Sequence, residues 1–219
     1  MNSARLARVG LALLGAALAS GTVGAQTEYS KVAALIGPGR VSVLVQAPQT
    51  KFAARIPKQQ AGAALLAPLL GGAVAAAKAG EAMRKEHGIV DPVEHFRDAF
   101  LAELAEQRPI DAEMIPGTAS EDPSILGKGL ATELALDFKT VVWTLAVNGD
   151  QHRIEYWGRA RLIRLDSGKV LWKETCKFRT ADPEATRHTL EDLLRDDAAL
   201  LNQEFSAATS DCAAKLASP

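Results

Sequence analysis

Catalytic signatures are missing from this chain of 219 residues. It has no G-x-S-x-G elbow, no H-E-x-x-H helix, no phosphate-binding loop and no C-x-x-C pair, which excludes the enzyme classes those motifs define. Gly37-Pro38-Gly39 is only a fragment of a dinucleotide fingerprint and reads as a turn. An excess of positive charge is missing too: 25 basic and 26 acidic side chains leave a formal charge of −1. That argues against a nucleic-acid binder, which needs a basic face to neutralise phosphates. Cysteine is scarce, with two in the whole chain. With no His at ligand spacing from either one, no zinc site is expected. What remains is 47% apolar and 23% charged, the balance of an ordinary globular domain.

The first 25 residues read as an address rather than as structure. Arg5 and Arg8 give a positive start, residues 9–19 are an apolar run, and Val23-Gly24-Ala25 offers small residues before Gln26. The run is too short for a membrane span of ~20 residues. The expectation is a signal peptide over 1–25, cleaved after Ala25, and a single periplasmic domain over 26–219. No cysteine stands in the leader, so no lipid anchor is expected.

Along the remaining chain, Val41, Val43 and Val45 alternate and predict a half-buried strand over 40–47. Residues 48–58 read as a polar connector. Residues 61–77 carry no charge and are rich in Ala, Leu and Gly; Pro68 and Gly71-Gly72 would kink or break a helix there. The segment is expected to be a buried or partner-facing helix, with membrane insertion as the alternative. Gly88 is a plausible helix stop. Asp91-Pro92 then starts a helix whose stripe is Val93, Phe96, Phe100 and Leu104, ending near Gln107. A short strand over 110–115 leads into a loop rich in Gly, Pro and Ser.

A three-stranded meander is the clearest pattern. Strands over 136–147, 153–165 and 170–178 are joined by Asn148-Gly149 and by Asp166-Ser167-Gly168-Lys169. Trp172, Cys176 and Phe178 share a face. A terminal helix over 184–216 follows, with Leu190, Leu194, Leu201, Phe205, Ala208 and Cys212 as its stripe. The two periodicities place Cys176 and Cys212 in one interior, which favours a disulfide in an oxidising compartment. The expected fold is α+β (or α/β): an antiparallel meander plus an N-terminal strand, packed against two central helices and a long C-terminal helix.

The four histidines are scattered. His188 would meet Glu184 and Glu191 at helical spacing, a pattern that is usually a solvated surface contact. His152, beside the hairpin turn, is expected to be exposed. Arg159 and Arg161, with Arg153 and Arg164 nearby, form a basic strand face. No catalytic, cofactor-binding or metal-binding residue is assigned and no cofactor is expected. The candidate interaction surface is Leu65, Leu66, Leu69, Leu70 and Val74 together with Arg159 and Arg161.

The hairpin from Gly158-Arg159-Ala160-Arg161-Leu162 through Asp166-Ser167-Gly168-Lys169 to Val170-Leu171-Trp172 resembles one in bacterial envelope proteins. Its D-x-G-K-x-x-W pattern is similar to that of periplasmic penicillin-binding-protein activator lipoproteins and of the periplasmic domain of the curli secretion channel. The resemblance covers about 20 residues and implies an exported strand-turn-strand unit. It transfers no functional residue. The expected function is a non-catalytic periplasmic accessory protein that binds another cell-envelope protein, in assembly, secretion or transport. The alternatives are an exported hydrolase whose site has no motif, and a peripheral membrane protein that uses residues 61–77.

Overall fold

The computed structural model describes residues 29–46, 50–56, 72–118, 122, 130–148, 150–180 and 188–219. Residues 1–25 and Leu65, Leu66, Leu69 and Leu70 lie outside the described residues, as does Glu184. The order of elements is α1 (Lys31–Ile36), β1 (Arg40–Val45), β2 (Ala53–Arg55), α2 (Gly72–Glu86), α3 (Val93–Gln107), β3 (Asp111–Thr118), β4 (Leu134–Asn148), β5 (Gln151–Arg164), β6 (Lys169–Arg179) and α4 (Leu190–Ala217).

The fold is α+β. Its sheet runs β3-β1-β4-β5-β6, with β2 paired to β4 as well. The meander is antiparallel through β4, β5 and β6. By contrast, β1 is parallel to both β3 and β4, and β2 is parallel to β4. Fifteen-residue β4 is flanked by β1 along its first half and by β2 along its second. The expected half-buried N-terminal strand is therefore an inner strand: Val41 and Val43 are buried on one face, Ser42 and Leu44 on the other. Parallel strands with neighbours on both sides bury both faces.

A bulge between Thr140 and Val142 explains how so long a strand keeps one face to the core. Leu136, Phe138 and Thr140 point inward before it, Trp143, Leu145 and Val147 after it; the extra residue resets the two-residue phase. Helices α1, α3 and α4 and Met83 of α2 join the inward residues in one core. The aromatic rings interlock there: Phe96 meets Phe138 edge-on at 5.6 Å, and Phe100 stacks on Trp172 at 5.9 Å. Such pairs add to simple area burial.

Local chemistry sets the helix limits. Glycine at 88, with φ +64°, stands just past the end of α2, as expected. At the start of α3, Asp91 Oδ1 accepts the Val93 amide at 3.1 Å, and Val93, Phe96, Phe100 and Leu104 are all buried. Gly80 lets α2 lie directly on β2, since a Cβ there would be 2.1 Å from the Phe52 carbonyl oxygen.

The last helix differs from the expectation. It starts at Leu190, capped by Thr189, whose hydroxyl accepts the Asp192 amide while the Asp192 carboxylate accepts the Thr189 amide. Between Arg195 and Ala198 it breaks: Asp196, Asp197 and Ala198 have φ of 53°, 56° and 53°. Three left-handed residues in succession are costly for L side chains, and aspartate tolerates them better than most. Asn202 braces the break, donating from Nδ2 to Asp197 O at 3.2 Å and accepting the Val90 amide at 3.1 Å. The break puts Leu193 fully in the core, while Leu190 and Leu194 are partly buried against it. Beyond the break, Leu201, Phe205, Ala208 and Cys212 are buried as the stripe requires. Cys176 and Cys212 are bonded, with 5.4 Å between their Cα atoms.

Candidate interaction face

Alternation along β5 sends His152, Ile154, Tyr156, Gly158, Ala160 and Leu162 toward the helices, and Arg153, Glu155, Trp157, Arg159, Arg161 and Ile163 to the opposite face. The register adds Asp137, Lys139 and Val142 from β4, and Lys173, Thr175, Lys177 and Arg179 from β6. Leu44, Ala135 and Ile163 form a small second cluster on that side, to which no described helix contributes.

This face has a buried part and an open part. In the buried part Asp137 is fully enclosed and receives Arg161 Nε at 3.0 Å, Arg161 Nη2 at 2.6 Å and Gln46 Nε2 at 2.6 Å. Arg159 Nη2 donates to Gln46 Oε1 at 3.3 Å. Arg161 is only 5% exposed, so it is corrected from surface candidate to internal ion pair. Arg161 lies on the expected strand face, but that face is covered at this point. Arg159 is half-buried.

In the open part, Trp157 is half-buried beneath the Lys177 ammonium, 4.3 Å from its ring centroid. Its indole N–H donates to Glu155 Oε1 at 3.0 Å, which also accepts Arg179 Nη2 at 3.1 Å. Arg153, Lys173, Lys177 and Arg179 are exposed. Basic residues stand directly opposite one another at Lys139 and Arg159 and at Arg161 and Lys173. Like charges across a ladder cost stability.

The other surface candidate, Val74, is 74% exposed on α2. With Ala73, Ala77, Lys51, Lys78 and Lys85 it lines an open groove of about 810 Å³. It is not brought together with the basic strand face among the described contacts.

On the helix side, the histidines depart from expectation. His152 is buried, not exposed: its Nε2 lies 2.7 and 2.8 Å from the two Glu204 oxygens, and its ring is 5.9 Å from His188. The turn-side position of His152 hid this, because α4 covers the end of the hairpin. His188 precedes the cap of α4, so it is not on a helix with Glu191. It lines a shallow cavity of about 370 Å³ with Asp192, Arg195, Asp196 and Gln203. Among the described residues no group of three or more His, Cys, Asp or Glu is placed to hold a metal ion.

One buried polar cluster had no signal in the sequence. Thr140 donates to Asp91 Oδ1 at 2.6 Å, and the buried Tyr156 hydroxyl faces Thr140 and Asp91. Burial raises the Asp91 carboxyl above the ordinary range, against the lowering effect of the Thr140 and Val93 hydrogen bonds. Burial likewise raises the Tyr156 phenol. The cluster ties the start of α3 to the β4 bulge, and it opens onto no described cavity.

No helix among the described residues is long and apolar enough to cross a membrane. No family model and no curated protein matches the chain. Similar solved structures include the PelC dodecamer from Paraburkholderia phytofirmans, at 12% identity over 82% of this chain and 87% of that one, TM-score 0.38. Lipoprotein GNA1162 from Neisseria meningitidis aligns at 14% identity over 79% of this chain and 98% of its own, TM-score 0.34. Protein XCC0632 from Xanthomonas campestris aligns at 11% identity over 83% and 84%, TM-score 0.37. Likeness at this level carries no inference about activity or partners.

Proposed function

We propose that this chain is a non-catalytic accessory protein of the bacterial envelope, exported to the periplasm by residues 1–25, which docks an acidic envelope protein on the open face of β5 and β6. The observation that carries the reading is the exposed set Arg153, Lys173, Lys177 and Arg179 around half-buried Trp157. Opposed charge steers encounter and sets register, while a desolvated aromatic supplies much of the affinity. The resemblance of the Gly158–Trp172 hairpin to exported envelope proteins supports the compartment. Opposite the acidic partner, exposed cations on the edge strand β6 also discourage unwanted strand addition.

In-cell cross-linking from a photoreactive residue at Thr175 tests this reading. An acidic envelope protein captured by the native chain and lost in Lys173→Glu/Lys177→Glu supports it. Capture that survives the double reversal contradicts it.

A further inference from the structure

The near-zero net charge conceals a strong separation. On the face opposite the helices, β5 and β6 carry Arg153, Arg159, Arg161, Lys173, Lys177 and Arg179 against Glu155, with Arg161 paired to Asp137 of β4. α3 and α4 carry ten Asp and Glu against three Arg and Lys. These helices run side by side in the same direction: His95 meets Thr209 and Gln107 meets Ala217. They pack on the sheet face opposite to Trp157, with Glu94, Asp98, Glu106, Glu191, Asp196 and Asp197 exposed. Among the described residues, the outer face of β5 and β6 is therefore mainly basic and the surface of α3 and α4 mainly acidic.

We infer that the acidic partner of the basic sheet face is the helix layer of a second copy of this chain. This rests on the proposed function, because it names the occupant of the same face. The two surfaces differ, so the contact is head-to-tail and repeats, closing into a ring or continuing as a filament according to the rotation per copy. A lipid surface is a poorer match: the Trp157 indole is held by Glu155 and capped by Lys177, which leaves no protruding apolar wedge for an acyl layer.

Sedimentation of the purified exported chain at ~20 mM and ~500 mM salt tests the inference, since exposed charges act over about 10 Å at 0.1 M and less above it. The expected result is association that rises with protein concentration at low salt and is lost at high salt. Lys173→Glu/Lys177→Glu makes both surfaces acidic and should leave a monomer. Asp98→Lys/Glu106→Lys weakens the acidic surface and should do the same. An equimolar mixture of the two variants should associate again, each keeping the melting temperature it has alone. A native chain that stays monomeric at low salt, or a mixture that does not associate, overturns the inference. Should the native chain be monomeric while Thr175 cross-links a different acidic protein, the proposed function stands and the self-association fails. Binding only to vesicles of anionic phospholipid, with no protein captured, overturns both.

Discussion

Asp137 on β4 and Arg161 on β5 face each other across the ladder, joined by two contacts of 3.0 and 2.6 Å where the second sheet face is closed to water. Gln46 gives the same carboxylate a third hydrogen bond at 2.6 Å. A buried ion pair of this kind is strongly felt when half of it is removed and little felt when both halves are replaced by matched apolar groups. Arg161→Met should therefore destabilise by about 3–5 kcal/mol, read from urea unfolding. Arg161→Met combined with Asp137→Leu should recover much of that loss. An Arg161→Met variant as stable as the native chain would show that Asp137 is not held as described.

The Cys176–Cys212 bond spans 36 positions and fastens the last strand to the last helix. Closing a loop of that length stabilises by roughly 3–4 kcal/mol on the chain-entropy model. The paired Cys176→Ala/Cys212→Ala variant should unfold at correspondingly lower denaturant. Thiol labelling of the unfolded, unreduced native chain should find no free cysteine, and two labels per chain would contradict the bond.

The raised Asp91 carboxyl has a defined pH signature. Burial is the largest cause, so the folded state holds this proton more tightly than the unfolded state. Its contribution to stability is present in full below the unfolded value of about 3.9 and is lost as pH rises through the folded value. Asp91→Asn keeps an oxygen for Thr140 and Val93 and removes the titration. Unfolding free energies measured from acid to neutral pH should show the native chain losing stability relative to Asp91→Asn as pH rises. A constant difference across that range would contradict the assignment.

Gly80 separates two opposing effects. Alanine is the better helix former by roughly 1 kcal/mol, but its methyl would meet the Phe52 carbonyl oxygen and carbon at 2.1 and 2.6 Å, both backbone atoms. The clash outweighs the propensity, and Gly80→Ala should destabilise by roughly 1–3 kcal/mol or more. A stabilised variant would mean that α2 lies farther from β2.

Much of the fold was legible where neighbours in sequence are neighbours in space. The meander followed from alternation and two turns, and the Val93–Leu104 stripe from helical spacing. Both cysteines were placed by their own periodicities. The parallel lanes, β1 and β2 beside β4 and β3 beside β1, were not legible, because their partners are distant in sequence and β2 is three residues long. The break at Asp196–Ala198 was hidden by a seven-residue step from Leu194 to Leu201 that imitates an unbroken stripe. Arg159 and Arg161 share the strand face that alternation predicts, yet their environments differ: one is half-buried, the other is sealed against Asp137. The contribution of β6 to the basic face was missed for want of the β5–β6 register, which brings Lys173 and Lys177 opposite Arg161 and Trp157.

The open face of β5 and β6 is the surface on which this chain is proposed to bind. Lys173→Glu/Lys177→Glu changes exposed side chains on β6, so its far-ultraviolet circular dichroism should match that of the native chain, with a melting temperature lowered only by the lost Lys177–Trp157 contact. Quantitative cross-linking from Thr175 in cells expressing either chain is the decisive measurement. The expected result is loss of the adduct in the charge-reversed chain, with its retention in Val74→Glu, a change on the separate α2 groove. An adduct undiminished by reversal on β6, or one abolished instead by Val74→Glu, would contradict the claim.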